Sequence, residues 1–320
     1  MIKTPLTRWF DLSTPIIGAP MAGVAGGELA AAVSRGGGLG MIGISGAATT
    51  EFLTSQCAIP ADADLPFGVG LMIWVLETRP ELFEATVAAA PSLVSVSFGD
   101  PAPYVGPLHD AGIAVAAQVN TTADAHRALE AGVDVLVAQG TEAGGHTGQR
   151  ATMPLLQEVL TLTDRPVVAA GGIATGRAMA AALVAGAAGV WVGTALLSCT
   201  EGLNSPAARE RIRAASGDET VLTRAFDVAE GIAWPERWPG RALVNDFSRA
   251  WHGREDELEN DADARRLVVE GRRTGDPANA PLYAGEAVSL VTSERSATDV
   301  VRELDADAEK ALRAVPRLLA

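Results

Sequence analysis

The segment DAHRALEAGVDVLVAQG, residues 124–140, joins an alanine-rich helical stretch to a short apolar strand through a glycine. The same order recurs in ELAAAVSRGGGLGMIG, residues 28–43, and in RAMAAALVAGAAGVWVG, residues 177–193. Each copy is expected to end its helix at a glycine that tolerates left-handed backbone: Gly36, Gly132 and Gly186. The strands that follow are apolar, which is typical of strands buried on both faces of a sheet. The repeat therefore indicates three helix-to-strand units of an α/β protein.

Further apolar strand candidates occur along the chain at a similar spacing, at residues 16–17, 67–71, 93–98, 113–118 and 166–170. Together with the strands of the three repeated units they make eight strands by residue 193. Strands that alternate with helices predict a parallel sheet, either open and doubly wound or closed. The number of eight favours closure, so we predict a (β/α)8 TIM barrel.

The alternation of strands and helices stops after residue 200. Residues 205–281 contain six glycines, five prolines and three of the six tryptophans. We therefore predict a barrel made of residues 1–204 and 282–320, into which residues 205–281 are inserted after the eighth strand as a smaller substrate or lid domain. Two helices, at residues 297–303 and 305–315, are expected to complete the barrel.

The chain is acidic, with a formal net charge of −14, and its acidic residues concentrate after residue 200. Nucleic acids and anionic membranes need clustered Lys and Arg, so neither is an expected partner. Cys57 and Cys199 offer neither a metal-ligand spacing nor a disulfide framework, which fits a reducing cytoplasm. No stretch is apolar for the roughly twenty residues of a membrane span. We expect a small-molecule ligand and no metal, and the sequence leaves the oligomeric state open.

Glycines follow the last two barrel strands, where phosphate groups commonly bind in barrels of this kind. Gly171 and Gly172 end the seventh strand ahead of a helix that starts near Thr175, and Gly193 with Thr194 ends the eighth. Glycine lets backbone N–H groups approach phosphate oxygens, and a helix amino terminus adds a favourable dipole. Each glycine alone suits a plain turn, but their joint position predicts a phosphate site.

Two further features suit a flat heterocyclic ring beside that phosphate. The loop Gly18–Val24 after the first strand is small and apolar, a composition that also suits a simple turn. Gln118 and Gln139 end the fifth and sixth strands, and each amide offers both a donor and an acceptor to the edge of a ring.

The most informative loop is QGTEAGGHTG, residues 139–148, which follows the sixth strand. Gly144 and Gly145 allow its backbone to lie close to a ligand, and the loop presents His146 at the barrel mouth. An imidazole with an ordinary pKa of roughly 6.5 can remove or donate a proton at neutral pH. Glu142 is expected either to orient His146 or to cap nearby N–H groups. We predict that His146 is catalytic.

These loops together resemble the nitronate monooxygenase family, formerly called 2-nitropropane dioxygenases, within a wider group of flavin-dependent barrels. The resemblance rests on four motifs in the expected order: APMAG at 19–23, QG with EAGGH at 139–146, AAGGI at 169–173 and VGT at 192–194. It implies oxidation of alkyl nitronates or nitroalkanes with molecular oxygen, and it implies that His146 removes the carbon-bound proton of a nitroalkane. It also implies an FMN cofactor. The residues expected to bind FMN are Pro20, Met21, Ala22, Gln118, Gln139, Gly144, Gly145, Gly171, Gly172, Gly193 and Thr194.

Two features leave the reaction open. Many members of the family carry Asn at the end of the third strand, where this chain has Gly70, so one polar contact is missing or replaced. The segment WPERW, residues 234–238, suits either core packing or the wall of an apolar pocket. The alternatives are a nicotinamide-dependent flavin enoyl reductase of the same fold, a non-redox isomerase or lyase for a phosphorylated metabolite, and a barrel that binds its ligand without catalysis.

Overall fold

A computed structural model describes residues 1–318 of the chain. The strands of its main sheet are Ile16–Gly18 (β1), Gly40–Gly43 (β2), Phe67–Met72 (β3), Leu93–Ser97 (β4), Ala114–Val119 (β5), Val135–Gln139 (β6), Val167–Ala170 (β8) and Gly189–Val192 (β9), while the short β7 (Gly145–His146) lies outside it. Their order is β1–β9–β8–β6–β5–β4–β3–β2, with parallel pairing throughout. β1 also meets β2, because Gly18 N–H donates to the Leu39 carbonyl at 2.9 Å. Within residues 1–318, these eight strands confirm the (β/α)8 TIM barrel.

Side chains that point into the barrel form an apolar cluster of their own, which includes Ala116 of β5 and Val137 of β6. A short helix, α1 (Pro5–Trp9), closes the amino-terminal end of the barrel, since Leu6 is fully buried in that cluster. Alternate residues of a strand point to the same face. Gln118 and Gln139 each lie two residues beyond a member of the cluster, so both face the barrel interior at its carboxyl end.

Helices follow the strands around the outside of the barrel. In chain order they are α2 (Gly27–Arg35), α3 (Thr50–Asp62), α4 (Ile73–Leu76), α5 (Pro80–Ala88), α6 (Ala102–Asp110), α7 (Thr122–Glu130), α8 (Thr152–Leu160), α9 (Gly176–Val184), α10 (Pro206–Arg213), α11 (Ala225–Glu230), α12 (Asp246–Trp251), α13 (Glu255–Leu258), α14 (Ala262–Thr274) and α15 (Ala297–Ala314). α9 starts at the predicted position, with Thr175 as its N-cap. No helix among residues 1–318 is long and apolar enough to cross a membrane.

The last barrel helix differs from its prediction. The sequence predicted two helices that meet near Leu304, but α15 is continuous across that position. The reason is that Ala297, Val301, Leu304 and Ala308 recur at helical spacing and are all buried, so one amphipathic face spans both predicted helices. This face packs against α2 and α9, and α15 thereby completes the outer ring of the barrel.

The glycines that end the repeated helices are left-handed in two of the three predicted places. Gly132 and Gly186 have φ values of +92° and +109°. Gly36 instead keeps helical backbone with φ −73°, and the left-handed residue is Gly37, with φ +100°. Because glycines stand in succession at residues 36–38, the turn can form one residue later at no steric cost.

Residues between the barrel and α15 build a second, smaller sheet. Its strands β10 (Thr220–Thr223) and β11 (Gly240–Leu243) are antiparallel, and β11 also pairs with β7 of the histidine loop. Helices α11 to α14 pack on this sheet around a separate apolar cluster that contains Phe226 and Phe247. The smaller sheet is therefore joined to the loop that follows β6. The boundaries of the inserted domain at residues 205 and 281 stay a prediction.

Candidate active site

The loop after β1 fits into the carboxyl end of the barrel, above the interior cluster. Three glycines make room for it: Gly43 at the end of β2, Gly70 within β3 and Gly193 directly after β9. A Cβ atom at Gly43 or Gly70 would lie within 2.4 Å of atoms of residues 19–22, and one at Gly193 would lie 3.3 Å from the nearest of them. The structure thus brings the loop predicted to contact a ring next to one of the loops predicted to hold a phosphate.

Gly70 gives a physical reason for the departure from the family pattern. The position that a Cβ atom would take at Gly70 lies 2.3 Å from Cβ and 2.4 Å from Cγ of Pro20. Real side-chain atoms do not approach so closely, so a larger residue at Gly70 requires the loop to move. With the loop in this position there is therefore no room for a side chain at Gly70.

The two predicted phosphate loops lie at the same end of the barrel. Gly171 and Gly172 both have left-handed backbone, with φ of +104° and +70°. A Cβ atom at Gly171 would lie 2.7 Å from Oγ1 of Thr152, whereas at Gly172 the nearest atom is 3.7 Å away, an ordinary contact distance. Gly172 is exposed and Gly171 only partly so, which leaves an opening at Gly172. After the neighbouring strand β9, the Thr194 hydroxyl accepts a hydrogen bond from Gly285 N–H at 2.9 Å. The phosphate role of these residues stays a prediction.

The two glutamines predicted to meet a ring differ in how well their amides are satisfied. Oε1 of Gln139 accepts a hydrogen bond from Nδ2 of Asn120 at 3.0 Å. Nε2 of Gln118 is buried and has no hydrogen-bond partner among residues 1–318. A buried donor without a partner is costly, and an acceptor on the edge of a bound ring would satisfy it. Gln118, together with the opening at Gly172, therefore fits a heterocyclic cofactor with a phosphate.

Glu142 takes the second of its two expected roles. Its carboxylate accepts hydrogen bonds from Thr152 N–H at 3.0 and 3.1 Å and from the Thr152 hydroxyl at 2.9 Å. Thr152 is the first residue of α8, so the carboxylate caps that helix and interacts favourably with its dipole. Within the described chain Glu142 makes no hydrogen bond to His146, and the idea that it orients the imidazole is wrong for this structure.

His146 is held at the mouth by residues from the smaller sheet. β7 and β11 pair so that Gly240 lies opposite His146, which fixes the backbone of the histidine. Nε2 of His146 lies 3.0 Å from Oδ1 and 3.1 Å from Oδ2 of Asp227, a residue of α11. The side chains of His146 and Asp227 are only 8% and 5% exposed. Little water screens this pair, so its electrostatic interaction is stronger than on the surface.

An aromatic cluster of Trp74, Phe98, Trp234 and Trp238 lies beside the histidine. The Trp234 ring stacks on the imidazole of His146 with centroids 3.6 Å apart and planes inclined by 10°. Trp234 also meets Trp74 and Phe98 at 5.0 and 4.9 Å, and Phe98 meets Trp238 edge-on. Of the two roles expected for residues 234–238, Trp238 is buried in packing. Trp234 is partly exposed and stacks on His146, and the role of a pocket wall stays a prediction.

Further ionisable groups surround Asp227 on the side away from the barrel. The Tyr283 hydroxyl lies 3.5 Å from Oδ1 of Asp227. Burial, followed by the charge of Asp227, raises the pKa of Tyr283 well above its ordinary value, so this phenol stays protonated. Burial also raises the pKa of the Glu230 carboxyl, although Arg272 opposes that shift through a hydrogen bond at 2.9 Å. The His146–Asp227 pair is therefore enclosed by polar groups rather than by water.

Sequence reasoning did not find Asp227 or Tyr283. Asp227 lies 81 residues from His146 and belongs to no recognisable motif. Tyr283 follows the inserted region, and only the fold brings it within 5.4 Å of the imidazole, measured between ring centroids. The arrangement as a whole offers a fixed imidazole for proton transfer beside glycine loops that suit a phosphate-bearing ring.

Comparisons with known proteins agree with this arrangement. A family model described as nitronate monooxygenase matches residues 3–85 and 80–307. The nitronate monooxygenase of Neurospora crassa is 30% identical, and the match covers 98% of this chain and 94% of that protein. Some matches are partial, since the alignments cover only 40% and 64% of two curated relatives from Mycobacterium tuberculosis.

Solved structures show the same architecture over the whole chain. FabK from Thermotoga maritima superposes with a TM-score of 0.87 at 29% identity, covering 99% of this chain and all of that one. A nitroalkane oxidase from Streptomyces ansochromogenes superposes with a TM-score of 0.81 at 28% identity, covering 97% of this chain and 99% of that one. The similarity therefore extends to the smaller sheet and α15 as well as to the barrel.

Proposed function

The chain belongs to the nitronate monooxygenase family of flavin-dependent enzymes, and from this premise we propose that it oxidises alkyl nitronates and nitroalkanes with molecular oxygen. The observation that carries the proposal is the buried, hydrogen-bonded and stacked His146 at the mouth of the barrel. A nitroalkane has to lose a carbon-bound proton before it can be oxidised, and a positioned imidazole is the usual group for that step.

We propose FMN as the cofactor, which when bound would carry electrons from the nitronate to molecular oxygen. Its phosphate would be held by backbone N–H groups of Gly171, Gly172 and Gly193 and by the Thr194 hydroxyl. Its ring would lie near residues 20–22, with Gln118 as a donor to the ring edge and with Gln139, Gly144 and Gly145 around it. The unpartnered Nε2 of Gln118 supports this assignment.

The residues of the chain divide the remaining work between the barrel and the smaller sheet. His146 removes the proton, and Trp234 limits the access of water to the imidazole. Because Asp227 and Trp234 both come from residues 205–281, we propose that this segment is a substrate or lid domain. Arg237 of the same segment bonds to Asp124 of α7 at 3.2 Å, which holds the segment down on the barrel.

A nicotinamide-dependent flavin enoyl reductase remains the second candidate. The specific observation in its favour is that the structural likeness to FabK is at least as close as that to the nitroalkane oxidase. Such a reductase would need His146 only as a proton donor to its substrate. The family assignment favours either flavin reaction over the non-redox isomerase or lyase and over a barrel without catalysis.

The test uses the purified full chain. Its visible absorbance is recorded, nitroethane or ethyl nitronate is added without oxygen, and air is then admitted. Loss of the flavin absorbance on addition, followed by its return in air with consumption of the nitro compound, would support the proposal. Absorbance that changes only on addition of reduced nicotinamide would move the assignment to the reductase. A colourless protein that takes up no FMN would contradict both.

A further inference from the structure

We infer that Asp227 is a positioning residue that keeps the proton of His146 on Nε2 and thereby makes Nδ1 the atom that accepts the substrate proton. This inference rests on the proposed function and adds to it a residue from the inserted segment. The histidine comes from a barrel loop and the aspartate from α11. The base would then need both the barrel loop that carries His146 and the helix that carries Asp227.

The first step of the argument is that Nε2 has no freedom to act as the base. Both carboxylate oxygens of Asp227 lie within 3.1 Å of Nε2, and the pair is almost fully buried. A carboxylate only accepts hydrogen bonds, so the neutral imidazole must donate from Nε2. In a neutral imidazole the proton on one nitrogen leaves the lone pair on the other. The available lone pair is therefore on Nδ1.

The second step is that the stacked indole does not block the lone pair of Nδ1. Trp234 covers one face of the imidazole with nearly parallel planes. The lone pair of Nδ1 lies in the plane of the ring, so a stacked indole does not stand in its way. Nδ1 makes no hydrogen bond to any of residues 1–318 that would occupy this lone pair. The Trp234 face also stabilises the positive charge that the imidazole acquires.

The proton transfer balances as follows. The carbon-bound proton of a nitroalkane moves to Nδ1 of His146, and the electron pair of the broken C–H bond becomes the C=N bond of the nitronate. The charge of the resulting imidazolium faces the carboxylate of Asp227. Tyr283, Glu230 and Arg272 are the other ionisable groups behind this pair, and Tyr283 remains a neutral donor to the carboxylate.

The test is Asp227→Asn, assayed with nitroethane and with ethyl nitronate. The Asn amide can donate to Nε2 and so favours the other tautomer, in which Nδ1 carries the proton. We expect kcat/KM for nitroethane to fall by about 100-fold or more, which is the usual contribution of a positioned base. Ethyl nitronate has already lost its proton, so its oxidation should change by less than about threefold on the same reasoning.

Asp134→Asn is the matched control, because Asp134 forms the second histidine–aspartate pair of the chain, with His109. It should leave both substrates unaffected. If Asp227→Asn lowers both activities equally, or releases the flavin, Asp227 serves only the structure and the inference is wrong. If His146→Ala leaves nitroethane oxidation unchanged, His146 is not the base and the inference is wrong, although the oxidation itself stands. If the wild-type protein oxidises neither nitroethane nor ethyl nitronate, the proposed function fails, and the two failures are therefore distinguishable.

A second readout does not depend on activity. NMR of isotope-labelled histidine distinguishes protonated from unprotonated ring nitrogens, at a pH where the imidazole is neutral. The wild type should show the proton of His146 on Nε2, and Asp227→Asn should shift it towards Nδ1. A wild-type protein that carries this proton on Nδ1 would overturn the inference.

Discussion

Two histidine–aspartate pairs occur among residues 1–318, and they differ in location, burial and surroundings. In the mouth pair, His146 and Asp227 are 3.0 Å apart and only 8% and 5% exposed. In the outer pair, His109 of α6 and Asp134 before β6 are 2.8 Å apart but 42% and 24% exposed. Water and salt screen the outer pair, whose contribution is expected to be about 0–1 kcal/mol.

The difference shows that short distance alone does not identify a functional histidine. The Asp134 carboxylate also accepts a hydrogen bond from Val115 N–H at 2.8 Å, so it has a structural role between β5 and β6. The mouth pair lies where the carboxyl ends of the strands, the glycine loops and the smaller sheet converge. Location and burial, rather than the pair itself, support the function proposed for His146.

The largest expected effect is on nitroethane oxidation, when removal of His146 is compared with removal of His109. His146→Ala should lower kcat/KM for nitroethane by about 100-fold or more, because the base is lost. His109→Ala should leave it unchanged. Oxygen consumption measures both, with the flavin absorbance as a check that the cofactor is retained. Equal activities in the two variants would remove the distinction between the pairs.

The next effect concerns the stacked indole, which the mouth pair has and the outer pair lacks. Trp234→Leu should lower kcat/KM for nitroethane about tenfold, since stacking and cation–π contacts contribute about 0.5–2 kcal/mol. Trp9→Leu is the control, because Trp9 stacks on Phe10 at 4.9 Å far from the mouth. Steady-state rates measure both variants, and only Trp234→Leu should fall below the wild type. Unchanged rates in Trp234→Leu would mean that the stack does not support the imidazole.

The same comparison explains what the sequence predicts well. The barrel follows from local patterns: a helix that ends at Gly132 or Gly186 and an apolar strand after it are readable within about twenty residues. His146 stands in a glycine-rich loop directly after β6, so its place at the mouth is also a local property. The continuity of α15 was missed because its buried positions extend past Leu304.

The partner of His146 cannot be predicted from local sequence, because it is set by a contact between distant parts of the chain. In the folded chain β11 pairs with β7 beside the contact of Asp227 with the imidazole, and no spacing in the sequence encodes that pairing. Glu142, near His146 in the sequence, was the natural candidate. Its carboxylate instead accepts from the N–H group of Thr152 at the start of α8, which has no partner within the helix.

This explanation of Glu142 predicts a moderate change in stability rather than in activity. Glu142→Gln keeps one acceptor for Thr152 but loses the charge at the helix terminus, so the free energy of unfolding should fall by about 1 kcal/mol. Urea denaturation measures this fall. The ratio of nitroethane to ethyl nitronate oxidation should stay at its wild-type value. A ratio that falls as expected for Asp227→Asn would return Glu142 to the role of orienting His146.

The smallest expected effect is a change in the free energy of unfolding with pH. It compares the buried carboxyl group of Glu230 with the exposed carboxyl group of Glu270. Burial raises the pKa of Glu230 above its ordinary value, so the folded protein holds this proton more tightly than the unfolded chain does. The stabilisation that results is present below the unfolded pKa and is lost as the pH rises through the folded pKa. Relative to Glu230→Gln, the wild type should therefore lose stability between acid and neutral pH.

Glu270 on α14 provides the opposite case. Its exposed carboxylate is bonded to Arg273 at 2.8 Å, and this contact lowers the pKa of Glu270. Relative to Glu270→Gln, the wild type should gain stability over the same rise in pH, because the contribution of a lowered carboxyl pKa is lost towards acid. Urea denaturation of the wild type, Glu230→Gln and Glu270→Gln between acid and neutral pH measures how the free energy of unfolding of each variant differs from that of the wild type. Slopes of the same sign would mean that Arg272 outweighs burial at Glu230, as Arg273 does at the exposed Glu270.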